Sequence, residues 1–279
     1  MIITDSTACI PQDLVERYGI EVVPVHIILG GRTYVDSVTA DTGEFYARMR
    51  AGEQATTAAP SPGMFLEAIR RAAQRSDSIL VITVSKQFSA MYDSARHAIE
   101  QVRAESPALD LRLLDSRAAA MAQGFVVLEA ARAAEQGAPL DDVIARAEAV
   151  SSRVTLLAML DTLSYLARSG RVPRVAAWAA GMLQVKPVVR FSAEGIRLAA
   201  RTRTRPRALA QIADMVVAAI GDRPAHLAVH HADAADDAAS LRDAIERRTN
   251  VIEAHTTEFT QVMGVHTGPG LVGAAWWCK

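Results

Sequence analysis

The chain has 279 residues, half of them apolar and 22% charged, with a formal net charge of −1. This composition excludes an intrinsically disordered, collagen-like or disulfide-rich chain, and the balanced charge argues against a dedicated nucleic-acid binder. The length is enough for one or two domains, each with a sizeable core.

Apolar runs predict strands at residues 2–4, 22–29, 78–84, 111–114 and 154–157. Helical spacing of apolar residues predicts helices at 43–50, 64–74, 89–103 and 119–134 between them. Short strands alternating with longer amphipathic helices define βαβ units, so the first half reads as an α/β domain with a mainly parallel sheet flanked by helices. Ligands of such sheets sit beyond the carboxyl ends of the strands. A second cycle follows, with helices at 161–168, 175–183, 208–220 and 238–247 and strands at 187–191, 196–200, 226–230 and 251–254. The expected division is therefore 1–158 and 159–264, both α/β, with 265–279 returning to the first sheet.

The opening segment has no basic leader and carries an acid at Asp5, and the longest uncharged apolar run, 175–185, is too short to span a bilayer. A cytoplasmic protein without integral membrane association is expected. Cys9 and Cys278 are the two cysteines and form no metal-ligand spacing, so both are read as reduced thiols, a disulfide between the termini being the alternative.

The chain has no GxSxG, GxxxxGK or HExxH motif. The GxGxxG at Gly268-Pro-Gly270-Leu-Val-Gly273 leaves only six residues behind it, too few for a dinucleotide-binding helix and strand. What remains is a series of hydroxyl and acidic turns at strand ends: Asp5-Ser6-Thr7, Ser85, and Asp115-Ser116. The helix after each turn directs its positive N-terminus at one crevice, where an anionic head group could be held. The same residue types also serve as ordinary helix N-caps. In 56–62, Ser61 and Pro62 mark a helix start after an extended loop, and Ser89 stands where the next helix begins, so that its hydroxyl and nearby amides could hold a carboxylate.

These turns, in this order, resemble the DegV family of bacterial fatty-acid-binding proteins. The resemblance rests on Ile3-Thr4-Asp5-Ser6-Thr7, Val22-Val23-Pro24-Val25, Thr57 to Pro62, Ser85 to Ala95, Asp115-Ser116, Gly170-Arg171-Val172, Arg203-Thr204 and His266 to Gly270. It implies two α/β domains with a lipid tunnel between them, and a carrier, not an enzyme on its own, that buries one long acyl chain and needs no other cofactor or metal. It further implies that Thr57, Ser89 and His266 hold the carboxylate, while Asp5, Ser6, Pro60, Ser85, Asp115, Ser116, Gly268 and Gly270 shape the turns around it. Two hydroxyls and an imidazole suit a carboxylate entering from apolar surroundings, where an unpaired charge is costly. Some members of the family deliver the acid to a fatty acid kinase that phosphorylates its carboxylate, a step in phospholipid metabolism. The resemblance then assigns docking of that partner to Arg171 and Arg203.

This chain departs from the family pattern at Ala58-Ala59 and at Ala90-Met91, where a glycine-containing pair is replaced beside Ser89. Phe88, Met91, Leu160, Leu163, Met182 and Leu183 are candidates for acyl-chain contacts and equally for ordinary core. Arginines 197, 201, 203, 205 and 207 crowd one stretch, which reads either as a solvated face or as a docking surface. The alternative function is a serine-dependent hydrolase or phosphotransferase with Ser89 or Ser6 as nucleophile, His266 as base and Asp115 as its orienter. A carrier of another amphipathic anion is a third.

Overall fold

The computed structural model describes residues 1–36, 42–171 and 185–279. In chain order the elements are β1 (Ile2–Asp5), α1 (Gln12–Arg17), β2 (Glu21–Val23), β3 (His26–Leu29), β4 (Arg32–Val35), α2 (Gly43–Arg50), β5 (Ala55–Ala58), α3 (Pro62–Ala73), β6 (Ser78–Thr83) and α4 (Met91–Glu105). They continue with β7 (Asp110–Asp115), α5 (Met121–Glu135), α6 (Leu140–Ser151), β8 (Thr155–Met159), α7 (Ser164–Ser169), β9 (Lys186–Ser192) and β10 (Gly195–Thr202). The last are α8 (Arg205–Ile220), β11 (Ala225–His231), α9 (Ala235–Glu246), β12 (Val251–Glu258), α10 (Gln261–Thr267) and β13 (Val272–Cys278). The predicted helix 175–183, Val172 of the GRV turn, and the acyl-contact candidates Met182 and Leu183 lie outside the described residues.

Two compact units result, Met1–Thr39 with Thr56–Ser152, and Ala40–Ala55 with Arg153–Lys279. The first is built on a parallel sheet of order β2-β1-β6-β7. Its central strands are covered on both faces: every residue of β1 and all of β6 but Ser78 are buried, including the polar Thr4, Asp5 and Thr83 at their carboxyl ends. Helix α3 begins at the expected Ser61-Pro62 and buries Phe65, Ala68, Ile69 and Ala72, one stripe at helical spacing. Helix α5 is different in kind, buried on every side from Met121 through Ala131. The predicted strand 22–29 breaks in two at Pro24, and the next amide, Val25, is diverted to Ser6 Oγ at 3.2 Å.

The second unit holds a mixed sheet of order β10-β9-β8-β13-β11-β12. Helices α8 and α9 cover one face through a core that includes Ile212, Val216, Leu227, Leu241 and Ile245. Here the expected domain division is corrected in three places. The boundary falls at Arg153 and not after residue 158, because the predicted strand 154–157 is β8, which pairs with β9 and β13 in the second sheet. The final strand does not return to the first sheet; β13 lies antiparallel between β8 and β11, and all seven of its residues are buried. Without it β8 and β11 would present two open edges, and Gly273 is what lets it approach, since a Cβ there would lie 2.5 Å from the Leu157 carbonyl oxygen. Helix α2, expected in the first domain, belongs to the second unit, where its buried Phe45, Tyr46 and Met49 pack.

Candidate functional site

In the first unit the crevice lies at the carboxyl ends of β1, β6 and β7, on either side of which the chain leaves in opposite directions toward β2 and β7. Asp5 stands at the end of β1, fully buried. Its Oδ1 accepts from the Thr7 amide at 3.1 Å and from the Thr7 hydroxyl, and its Oδ2 accepts from the Val84 amide at 2.8 Å and from Gln123 Nε2 at 3.1 Å. Burial pushes the Asp5 carboxyl pKa up, and the hydrogen bonds from Thr7, Val84 and Gln123 pull against it. Gln123 was not anticipated from sequence. It reaches out of the buried helix α5 to donate also to Thr4 Oγ1 at 3.1 Å and to accept from Thr7 Oγ1 at 3.0 Å. The signal was there to be read: a lone amide in the otherwise apolar run Met121 to Leu128 must find partners if the helix is buried.

The other predicted turn residues do similar work. Ser6 Oγ accepts from Val25. The Ser85 amide donates to the Ala118 carbonyl at 2.9 Å, and the Ser116 amide to that of Thr83 at 3.1 Å, joining the ends of β6 and β7. Asp115 Oδ1 accepts from the Arg117 amide at 2.9 Å and, at 3.4 Å, from that of Lys86. The side chains of Ser6 and Asp115, and the amides of Ser85 and Ser116, thus hold the turn backbone in place. Arg117 and Ala120, which follow, and Cys9, after the first turn, carry φ of 52°, 53° and 52°. Left-handed backbone at non-glycine residues is sustained only where the surroundings over-determine it, and such residues gather at ligand sites. Beside the first turn is a cavity of about 250 Å³ whose lining includes Thr4, Asp5, Ser6, Cys9 and Asp36.

Thr57 and Ser89 belong to this unit, and His266 to the second. Thr57 lies on β5, half-buried, in a three-stranded sheet of order β4-β3-β5, so residues 56–58 of the expected loop belong to an edge strand and 59–61 remain irregular up to the helix start at Pro62. Pro60, two residues beyond the strand, is buried. Helix α4 starts two residues later than expected, at Met91, with Ala90 as its cap; the half-buried Ser89 accepts from the Met91 amide through Oγ at 3.3 Å, leaving its hydroxyl hydrogen available to donate elsewhere. Of the acyl-contact candidates, Met91, Leu160 and Leu163 are buried.

His266 occupies the last turn of α10 and is half-buried. Desolvation, reinforced by the Arg171 guanidinium, holds its pKa down to about 4. At neutral pH it is therefore an uncharged imidazole with one N–H to donate. Arg171 follows Gly170, the left-handed cap of α7 at φ 69°, and its Nη1 donates to the Ser169 carbonyl at 2.7 Å. Arg203 is exposed between β10 and α8. Gly268 and Gly270, both at positive φ, form the turn after α10, and the Gly270 carbonyl accepts from Arg205 Nη1 at 2.6 Å. Cys9 and Cys278 are buried thiols, each in its own unit. No helix of the described residues is long and apolar enough to cross a membrane.

Parallel and mixed α/β units with hydroxyl-rich strand ends and an HTGPG turn are the architecture of the DegV family, and the chain belongs to it: the family model described as "Uncharacterised protein, DegV family" matches residues 1–279. Among its relatives, the DegV domain-containing protein SCO2569 of Streptomyces coelicolor is 33% identical over 98% of this chain and 96% of its own length. Rv2417c of Mycobacterium tuberculosis is 36% identical over 98% and 95%. Two solved structures superpose over the whole chain. A DegV family protein from Thermus thermophilus, described for its fatty acid binding, has a TM-score of 0.92 and 29% identity, covering 100% of this chain and 99% of that one. DegV of Bacillus subtilis, described as a fatty acid binding protein, has a TM-score of 0.87 and 28% identity, covering 100% and 98%.

Proposed function

We propose that this protein is a fatty-acid carrier that buries one long acyl chain and holds its carboxylate with Thr57, Ser89 and His266. The observation that carries this reading is the match over the full chain to the fatty-acid-binding protein of Thermus thermophilus, at a TM-score of 0.92. The local chemistry supports it. Ser89 has a hydroxyl proton to give, His266 is a neutral donor, and Arg171 supplies a nearby positive charge for an anionic head group. Burying the tail contributes about 0.8 kcal/mol per methylene before association entropy is subtracted, so tight binding needs no covalent bond.

The finer reading is that the carrier presents the carboxylate for phosphorylation by a separate fatty acid kinase, with Arg171 and the exposed Arg203 meeting that partner. Arginine suits this through bidentate contact with carboxylate or phosphate. The hydrolase alternative has less in its favour, because an imidazole with a pKa of about 4 is a weak general base at neutral pH, and Ser6 and Asp115 are already engaged by backbone amides. The test is the Ser89→Ala, His266→Ala double variant: it should retain its fold by circular dichroism and lose bound fatty acid, and a folded double variant that keeps full lipid occupancy would refute the assigned roles.

A further inference from the structure

Helix α10, which carries His266, meets one tyrosine ring at Gly264 and a second at Gly268, the residue that caps its C-terminus. Tyr46 of α2 is fully buried, its hydroxyl donates to the Phe259 carbonyl at 3.3 Å, and its ring lies so close to Gly264 that a Cβ at that position would overlap it. Tyr165 of α7 lies in the same way against Gly268, and its hydroxyl donates to the Met49 carbonyl of α2 at 3.4 Å. Both contacts therefore trace back to α2, the segment that joins the second unit from an earlier part of the chain. Any other residue at 264 or 268 would push the rings away, and at Gly268 the φ of 81° would add strain.

His266 lies about 200° around the helix from Gly264 and so projects from the side opposite the Tyr46 ring, while Gly268 caps the helix, its amide donating to the Gly264 carbonyl at 2.8 Å, so that the Tyr165 ring meets the backbone where the last turn ends. Tyr46 thus presses on the back of the helix whose front carries the imidazole, and Tyr165 presses on its C-terminal cap, two residues beyond the imidazole. We propose that Tyr46 and Tyr165 are positioning residues for His266, fixing the rotation of α10 about its axis by packing on Gly264 and Gly268. At a radius of about 5 Å a rotation of ~20° would carry a side chain roughly 2 Å sideways, more than the whole width of the hydrogen-bond distance range. The inference rests on His266 being a head-group ligand and adds what holds it there. The depressed His266 pKa of about 4 supplies an independent reporter, because it depends on the ring staying in its desolvated place near Arg171.

The experiment is to compare Tyr165→Leu with Tyr165→Phe in the full chain, reading oleate affinity by calorimetry and the His266 titration by NMR. Tyr165→Leu should weaken oleate binding about tenfold and move the His266 pKa at least one unit back toward 6.5, while Tyr165→Phe, which keeps the ring on Gly268, stays within about twofold of the parent. A folded Tyr165→Leu with parental affinity and an unmoved titration overturns the proposal; so does an equal loss in Tyr165→Phe, which would make the hydroxyl and not the ring responsible. If Tyr165→Leu does not fold, Gly268→Ala, which displaces the ring without leaving a cavity, is held to the same two readouts. His266→Gln separates the two readings: if it leaves oleate affinity unchanged, the head-group role of His266 falls, while the His266 titration in the Tyr165 variants still decides the positioning.

Discussion

Replacing His230 should flatten the acid side of the stability curve. His230 lies on β11 with no exposure; its Nδ1 is 2.8 Å from Thr257 Oγ1 and its ring is packed 5.2 Å from Phe259. Burial, with a smaller contribution from neighbouring His231, drives its pKa from 6.5 down to about 3. The folded state therefore refuses a proton that the unfolded chain accepts, and between those two values the unfolded state binds more protons. Stability is complete above pH 6.5 and declines as pH falls toward about 3, by up to about 1.4 kcal/mol per pH unit. At pH 4.5 the loss from this one group is roughly 2–3 kcal/mol, a large share of the 5–15 kcal/mol that holds a typical domain folded. His230→Gln keeps a polar partner for Thr257 and cannot titrate. Urea denaturation followed through Trp276 and Trp277, which pair with Leu227 and His226 of β11, should show the parent losing about 2–3 kcal/mol more than the variant between pH 7 and pH 4.5. His231 and His266, also held below 6.5, remain in both proteins, so the difference isolates His230. Equal losses in the two proteins would refute the reasoning.

Gln123→Leu removes two donated bonds and one accepted bond around Asp5, one of them to a buried carboxylate, and should lower stability by about 2–4 kcal/mol with a parallel fall in the urea midpoint; a loss under about 1 kcal/mol would mean the crevice re-forms its bonds without the amide. Gly124→Ala puts a Cβ 2.8 Å from the Ala8 carbonyl oxygen, a backbone atom that cannot swing aside, so it should cost about 1–3 kcal/mol and several degrees of Tm; an unchanged melt would show that α5 can slide away from the first turn. The paired substitution of Ser89 and His266 should empty the protein of lipid while leaving its circular dichroism intact.

The strands that frame the crevice were legible as short apolar runs: β1, β6 and β7 fall within one residue of the reading, although β7, with Arg112 exposed, is only partly buried, and the hydroxyl turns after them stand at the carboxyl ends where a parallel sheet holds its crevice. What periodicity could not say is which sheet a segment joins. The strand β13 reads as a buried run in any location, and only pairing with β8 and β11, more than forty residues away in sequence, assigns it to the second unit. The short helix α2 was legible as a helix and illegible as part of that unit for the same reason. The roles of the turn residues were half-legible. Asp5, Ser6 and Asp115 were identified as hydrogen-bonding side chains at strand ends, but their partners are backbone amides and Gln123, which only the packed structure brings within reach.

The central claim, that this chain carries a fatty acid, is tested most directly by denaturing the purified protein, extracting it with organic solvent and measuring released acids by mass spectrometry against protein concentration. Close to one long-chain fatty acid per chain is the expected result and would also reveal the preferred tail. A protein that yields none and takes up none when long-chain fatty acids are added would contradict the account.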